Sequence, residues 1–277
     1  MRILVTGAGG RLGTALVARL ERDDHEVTAV VSPRSPDDAA RVRLDLADTA
    51  AVSSRAREAR PEAIVHVGAI VGAACEADPA ATRAVNIEAT RALGLVAAER
   101  AARLIFVSTS AVYGTGYTTP VDEDGPLDLG SAYARSKREA ELVLDDLANG
   151  ADLDVVSLRV FNLFGPGFTD SLVSRLERAT PDRPALLYGL DGYVRDYVHV
   201  DDTTDLIARA LRTPSLPRVL NVGSGQATSN RRLIDLLTID PAAYRVENAP
   251  PSYSCADISL ATSVLGFAPT HTMETHG

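Results

Sequence analysis

The chain has 277 residues, 45% apolar and 23% charged, which suits one or two globular domains and excludes a disordered, collagenous or disulfide-stapled chain. Its 28 basic and 37 acidic residues leave a net charge of −9, without the basic footprint of a nucleic-acid binder. Cys75 and Cys255 are too far apart in sequence to argue a disulfide framework or a metal site, and no apolar run approaches the roughly 20 residues that span a bilayer, so a cytoplasmic location with no membrane partner is expected.

From the N-terminus, a β-branched strand over 2–6 runs into Thr6-Gly7-Ala8-Gly9-Gly10-Arg11-Leu12-Gly13 and a helix over 13–22. Gly7 permits a tight turn, Gly10 lets backbone approach a pyrophosphate, and Gly13 allows close packing of helix on sheet. The phosphates would then meet unpaired N–H groups at the positive end of the helix dipole. The next strand, 26–31, ends in Ser32-Pro33-Arg34, where dinucleotide sites usually place a ribose-binding carboxylate. A hydroxyl and an arginine there would receive a 2′-phosphate, which favours NADP over NAD. A strand over 41–44 would place Asp45, beside Leu46, near the adenine amino group.

Helices over 49–60, 82–100 and 132–147 alternate with strands over 63–67, 103–108 and 154–160. Such alternation with near-continuous apolar strands predicts a doubly wound parallel sheet of α/β class with helices on both faces. The fifth strand ends in Val107-Ser108-Thr109-Ser110, whose hydroxyls would project into a cleft; Thr109 or Ser108 would donate to a reacting oxygen.

Lys137 is the only lysine among the basic residues. Arginine stays protonated as a planar fork, whereas a lysine ammonium is compact and its pKa can move, so a lone lysine marks a place arginine cannot serve. Tyr133 precedes it by four residues and shares its helix face. A nearby cation should lower the phenol toward neutrality, allowing proton exchange with a sugar or alcohol oxygen while hydride moves at nicotinamide.

After residue 160 the chain changes character. A Gly/Pro/aromatic stretch over 161–169 precedes helices over 171–179, 201–211 and 230–237 and short strands over 185–188, 194–200 and 219–222. This reads as a dinucleotide-binding domain over 1–160 and a smaller mixed α/β substrate part over 161–277, some segments of which return to the first, with a cleft over the strand carboxyl ends.

These motifs together resemble the extended short-chain dehydrogenase/reductases of the NAD-dependent epimerase/dehydratase family, over nearly the whole chain. The likeness includes His66-Val67-Gly68-Ala69, Asn86 in Val85-Asn86-Ile87, Arg159-Val160-Phe161-Asn162, Arg195-Asp196-Tyr197-Val198-His199, and Asn221-Val222-Gly223-Ser224-Gly225. The resemblance implies a Rossmann-like fold and Thr109, Tyr133 and Lys137 as the catalytic trio, with Tyr133 and Lys137 also reaching the cofactor. It implies cofactor contacts from Gly7, Gly10, Arg11, Leu12, Val67, Gly68, Ala69, Asn86, Val107 and Val160, and nucleotide-sugar contacts from Thr109, Asn162 and Arg195. It also implies a homodimer through the helices over 82–100 and 132–147.

Three departures qualify the implied chemistry. Ser110-Ala111 replace the Asp-Glu pair of sugar-nucleotide dehydratases, which argues against dehydration. The stretch 250–257 lacks a second diphosphate-binding arginine, and the C-terminal part is short. The expected activity is NAD(P)-dependent reduction or epimerisation of a nucleotide sugar, with reduction favoured by the exchangeable-looking site at Ser32 and Arg34. The alternatives are a reductase or dehydrogenase of a free sugar or small carbonyl compound, and a non-catalytic dinucleotide sensor.

Overall fold

The computed structural model describes residues 1–36 and 40–276. The chain opens with β1 (Arg2–Thr6), α1 (Arg11–Arg22), β2 (Glu26–Val31), β3 (Val42–Arg43), α2 (Thr49–Ala59) and β4 (Ala63–His66). There follow α3 (Ala74–Ala77), α4 (Pro79–Thr82), a π-helical turn over Arg83–Glu88, α5 (Ala89–Arg100), β5 (Arg103–Thr109), α6 (Ala132–Gly150) and β6 (Val155–Val160). The remainder comprises β7 (Asn162–Phe164), α7 (Leu172–Glu177), β8 (Ala185–Tyr188), β9 (Tyr193–Arg195), β10 (Tyr197–His199) and α8 (Val200–Arg212). Then come β11 (Val219–Val222), β12 (Thr228–Ser229), α9 (Asn230–Leu236), β13 (Tyr244–Glu247), β14 (Ser252–Ser254) and α10 (Ser259–Leu265).

Two compact units interleave along the chain. The first comprises Met1–Val112, Leu129–Arg159 and Thr204–Leu220; the second comprises Tyr113–Asp128, Val160–Thr203 and Asn221–Gly277.

The first unit is built on a Rossmann-like parallel sheet of seven strands, ordered β11-β6-β5-β4-β1-β2-β3. Strand order reverses at β1, which pairs with β2 on one side and β4 on the other. That reversal is where open α/β sheets bind ligands. Alternation along β1 explains the two covered faces. Leu4 joins a core with Val52 and Ala56 of α2, Leu93 and Val96 of α5 and Leu144 of α6. Ile3 and Val5 point the other way and are equally buried. Leu12, Leu16, Val17 and Leu20 form the buried stripe of α1, and Arg19 on that helix bridges to Asp205 of α8 at 3.0 Å.

Two expectations need correction here. The strand over 219–222, expected in the smaller part, is β11, the edge strand of the main sheet; backbone bonds from Ser157 to Arg218 and from Phe161 to Val222, both 2.8–2.9 Å, fix it beside β6. The helix expected over 82–100 is α-helical only from Ala89, because a π-helical turn precedes it. Single π turns inside helices recur at functional sites, and this one carries Asn86.

The second unit is a set of small sheets: β10 with β7, β12 with β9 and β14, and β13 with β8. Phe164, Val173, Leu176, Leu187, Tyr197, Leu233, Ile234 and Met273 form its core. The strand expected over 194–200 is interrupted at Asp196. The fully buried Asp196 carboxylate accepts from Ser224 N and Ser224 Oγ at 2.7 Å, Gly225 N at 3.0 Å and Ala256 N at 3.2 Å. The chain changes partners across it, from β12 and β14 before to β7 after.

Gly13 lies where α1 meets the first turn. A Cβ there would stand 2.1 Å from Gly7 O and 2.8 Å from Ala8 Cα, both backbone that cannot yield cheaply. Gly13→Ala should therefore destabilise the protein by roughly 1–3 kcal/mol, as overpacking does. Thermal unfolding measures this; an unchanged Tm would show that α1 shifts freely.

Candidate functional site

In the first unit, the turn between β1 and α1 is shaped by close backbone approach. Gly7 has φ +70°, and a Cβ on it would lie 2.5 Å from Gly68 N, at the end of β4. Gly10 N donates to Gly7 O at 2.9 Å and caps α1 without any side-chain cap bond. No side chain therefore caps the start of α1, the arrangement that suits an anion such as a pyrophosphate. Arg11 is exposed at this turn, while Leu12 is buried in the α1 stripe. Val67 N bonds Thr6 O at 3.2 Å, and Val67 and Ala69 are half-buried beside the cradle. Val107 and Val160 are buried at the ends of β5 and β6.

At the end of β2, Ser32 and Arg34 are both exposed, and Ser32 Oγ accepts from Arg34 N at 3.2 Å. Asp45 Oδ1 accepts from Ala47 N at 2.9 Å in a tight turn, with its side chain exposed. Leu46 packs instead toward Gly68, its Cδ1 2.5 Å from where a Cβ on that glycine would stand.

Strand alternation separates the two hydroxyls at the end of β5. Thr109 stands near enough to the Tyr133 phenol to pull its pKa down, and its Oγ1 accepts from Ala111 N at 3.2 Å. Ser108 points the other way and donates to Glu141 Oε1 at 2.6 Å. Of the two hydroxyls, Thr109 alone acts on the tyrosine. On α6, Tyr133, Lys137 and Glu141 are spaced four residues apart on one face. Lys137 is 1% exposed, with Nζ 4.0 Å from the centroid of the Phe106 ring.

The ionisation pattern differs from the expectation that the lysine lowers the tyrosine. Burial pushes the Tyr133 phenol up to about 12, against a partial downward pull from Thr109. Burial also brings Lys137 down to about 7, opposed by the Glu141 charge, so the lysine is itself only partly charged near neutrality. Desolvation sets the direction of both shifts.

Glu141 escaped the sequence reading. It is 1% exposed, and its carboxylate accepts from Arg159 Nε at 3.1 Å, Arg159 Nη2 at 2.9 Å and Arg138 Nη1 at 2.9 Å as well as from Ser108. The available signal was its spacing, one further helical turn beyond Tyr133 and Lys137. His66 is likewise buried: Nδ1 lies 2.6 Å from Thr6 Oγ1 and Nε2 3.0 Å from Thr90 Oγ1. Because Thr90 Oγ1 donates to Asn86 O at 2.7 Å, it must accept from His66 Nε2–H. Burial, aided by Lys137, holds this ring neutral, with its pKa lowered to about 3. Asn86 spends its amide on the protein: Oδ1 accepts from Ile70 N at 2.8 Å, and Nδ2 donates to Ile70 O at 2.9 Å and Ser136 Oγ at 3.0 Å. It ties the segment after β4 to α6.

In the second unit, Asn162, Arg195, Arg175, Tyr188, Tyr193, Tyr197 and Asn230 help line one cavity of about 250 Å³. Asn162 Nδ2 donates to Asp196 O at 2.9 Å. Arg175 and Asn230 were not singled out from the sequence, since nothing local distinguishes one arginine among many. Asn230 is 1% exposed, and its Oδ1 is the one buried side-chain polar atom without a hydrogen-bond partner among the described residues. Elsewhere in this unit, His199, Asp201 and His271 bring donor atoms within 4.8 Å of one another. Their imidazoles stack, with centroids 4.6 Å and planes 24° apart, so the in-plane lone pairs run side by side rather than converging on an ion.

The buried lysine makes stability depend on pH. The folded state releases its proton near 7, the unfolded state near 10.5. Between these values the unfolded chain binds more protons, so this group makes stability rise with pH. Lys137→Met should remove up to about 1.4 kcal/mol per pH unit of upward slope between pH 7 and 9. Urea unfolding across that range tests it, and identical slopes for variant and parent would contradict the buried ammonium.

A family model described as the NAD dependent epimerase/dehydratase family matches residues 3–223. The UDP-glucose 4-epimerase of Mycolicibacterium smegmatis is 32% identical, the match covering 84% of this chain and 80% of that protein. A probable dTDP-4,6-dihydroxy-2-methyloxan-3-one 4-ketoreductase of Streptomyces antibioticus is 30% identical, covering 92% and 86%. Among solved structures, the Thermotoga maritima UDP-glucose 4-epimerase with UDP-glucose has a TM-score of 0.87 at 26% identity, covering 99% of this chain and 96% of that one. The Thermus thermophilus UDP-glucose 4-epimerase in complex with NAD has a TM-score of 0.84 at 28% identity, with the same coverage.

Proposed function

The chain belongs to the NAD-dependent epimerase/dehydratase family, and on that premise we propose that it transfers hydride between a nicotinamide dinucleotide and a hydroxyl-bearing or keto carbon of a nucleotide-activated sugar. The observation that carries the reading is Tyr133 one helical turn from the only lysine on α6, with Thr109 beside the phenol.

The residues present fit a dinucleotide: the turn at Gly7 packs tightly against the backbone of Gly68, and no side chain caps the start of α1, where a phosphate would be held. Bound there, the nicotinamide supplies the hydride acceptor or donor. Tyr133 exchanges the proton at the sugar oxygen, and Thr109 orients the phenol and donates to the same oxygen. Lys137, as ammonium, holds ribose hydroxyls beside the phenol. Its pKa near neutrality makes the charge available without fixing it. Asn162 and Arg195 hold the nucleotide portion of the sugar substrate. Ser110 and Ala111 supply neither acid nor base for loss of water, so dehydration is not part of this reading.

Two outcomes share that hydride step. The 4-epimerase relatives favour oxidation and return of hydride with opposite stereochemistry. The end of β2 favours net reduction with exchange of cofactor: Ser32 and Arg34 are exposed there, and among the described residues of that turn no carboxylate stands where an adenosine ribose would be held. By the same residues, NADP(H) is favoured, although solved relatives hold NAD. A homodimer pairing α5 with α6 would cover Leu95 and Leu142, which are 48% and 47% exposed.

Tyr133→Phe should lower turnover ~10²–10⁴-fold while leaving dinucleotide affinity nearly unchanged. Stopped assays with UDP- and dTDP-sugars, and fluorescence titration of the dinucleotide, measure the two effects. Turnover close to the parent's would overturn the proton-transfer role, and dinucleotide binding without turnover of any sugar would favour a sensor.

Stoichiometric NADPH oxidation by keto-sugar nucleotides is expected for the reductase. Epimer interconversion without net NADPH use would establish the epimerase. NADP(H) should bind more tightly than NAD(H), with Arg34→Ala erasing the difference. Tighter NAD binding, unaffected by that change, would refute the preference.

A further inference from the structure

We propose that Arg175 of α7 is the second cation that binds the substrate diphosphate, replacing from another element the arginine that the stretch 250–257 lacks. This rests on the nucleotide-sugar reading above and names a residue that reading does not use.

The argument starts from what Arg195 has left to offer. Its Nη1 donates to Val194 O at 2.7 Å and to Ser252 O at 2.9 Å, and its Nη2 donates to Ser252 Oγ at 2.7 Å. Three of the five N–H groups of a guanidinium are thereby engaged. The plane of Arg195 also packs over Tyr193, 3.8 Å from the ring centroid. Ser252 lies within 250–257, so the segment that lacks an arginine holds Arg195 by its backbone and hydroxyl. The result is a fixed cation with few free donors.

Arg175 has the complementary character. It lines the same cavity, is exposed, and its guanidinium takes part in no hydrogen bond or ion pair among the described residues. Its helix is fixed from below by the buried Val173 and Leu176 and capped by Ser171, whose Oγ accepts from Ser174 N at 3.1 Å. Both arginines act on one place, since the charges of Arg195 and Arg175 each pull on the Tyr197 hydroxyl. A diphosphate carries two anionic groups, and a guanidinium with free N–H groups meets phosphate oxygens in bidentate fashion.

A second feature points to a nucleotide rather than to inorganic anion alone. Asn230 Oδ1 in the same lining has no donor partner, while Asn230 Nδ2 is spent on Gly189 O at 2.8 Å. An unpaired buried acceptor calls for a ligand O–H or N–H. A nucleoside diphosphate offers both the anionic oxygens and such donors, on its ribose and base.

Calorimetric titration of the full chain with UDP, dTDP and uridine, for the parent and for Arg175→Gln, Arg175→Lys and Arg195→Gln, provides the test. Arg175→Gln should weaken UDP or dTDP binding roughly 10–100-fold. Uridine affinity and Tm should not change, and Arg175→Lys should restore part of the loss. In turnover assays the same change should raise KM and leave kcat near the parent's. Diphosphate binding by Arg175→Gln equal to the parent's would overturn the assignment and leave the proposed function standing. Failure of the parent to bind UDP or dTDP at all would remove the nucleotide-sugar reading and this inference together.

Discussion

Burial of the Lys137 ammonium is the constraint around which the first unit is arranged. An amine that is 1% exposed faces a large desolvation cost. Two features offset it without abolishing it. The Phe106 ring face lies 4.0 Å away, and the Glu141 carboxylate, one turn farther along α6, holds the pKa up against burial. Glu141 can stay charged only because Arg159, Arg138 and Ser108 satisfy its oxygens. Removing Arg159 would leave a buried carboxylate short of partners, a far larger penalty than the net worth of the pair.

That network also fixes the end of β5. With Ser108 bonded to Glu141 on one side of the strand, alternation turns Thr109 to the other side, toward Tyr133. Asn86 performs a similar task for the segment after β4, joining Ile70 to Ser136 on α6. Its placement depends on the π-helical turn that interrupts the helix over that stretch. His66 lies below, neutral and bonded on both nitrogens, so it adds no further positive charge beside Lys137.

In the second unit the organising group is the Asp196 carboxylate, which gathers four donors from Ser224, Gly225 and Ala256. Backbone from three distant stretches converges there, and the interrupted strand on either side carries Arg195 and Tyr197. Gly223 stands so close that a Cβ would lie 2.4 Å from Asp196 Oδ2. The cavity with its two arginines is thus lined by residues on either side of a rigid, fully buried anchor.

The sequence by itself determined the α/β class, the glycine cradle after β1 and the Tyr133–Lys137 pair. Each is a local pattern in which backbone geometry acts within a few residues: period-two burial in strands, glycine at a turn, four-residue spacing on a helix. It also marked Thr109, Asn162 and Arg195 through family resemblance. Tertiary structure alone decided the matters that depend on long-range packing. Between Ser108 and Thr109 the choice fell to Glu141, 33 residues away from Ser108. The seventh strand joined the main sheet through bonds to β6, and the strand expected over 194–200 broke where Asp196 found donors from other segments. The direction of the Tyr133 and Lys137 shifts followed from burial, which no spacing rule reports. Arg175 and Asn230 stood out only once folding had left, among the described residues, an exposed guanidinium without a partner and a buried acceptor without a donor in one cavity.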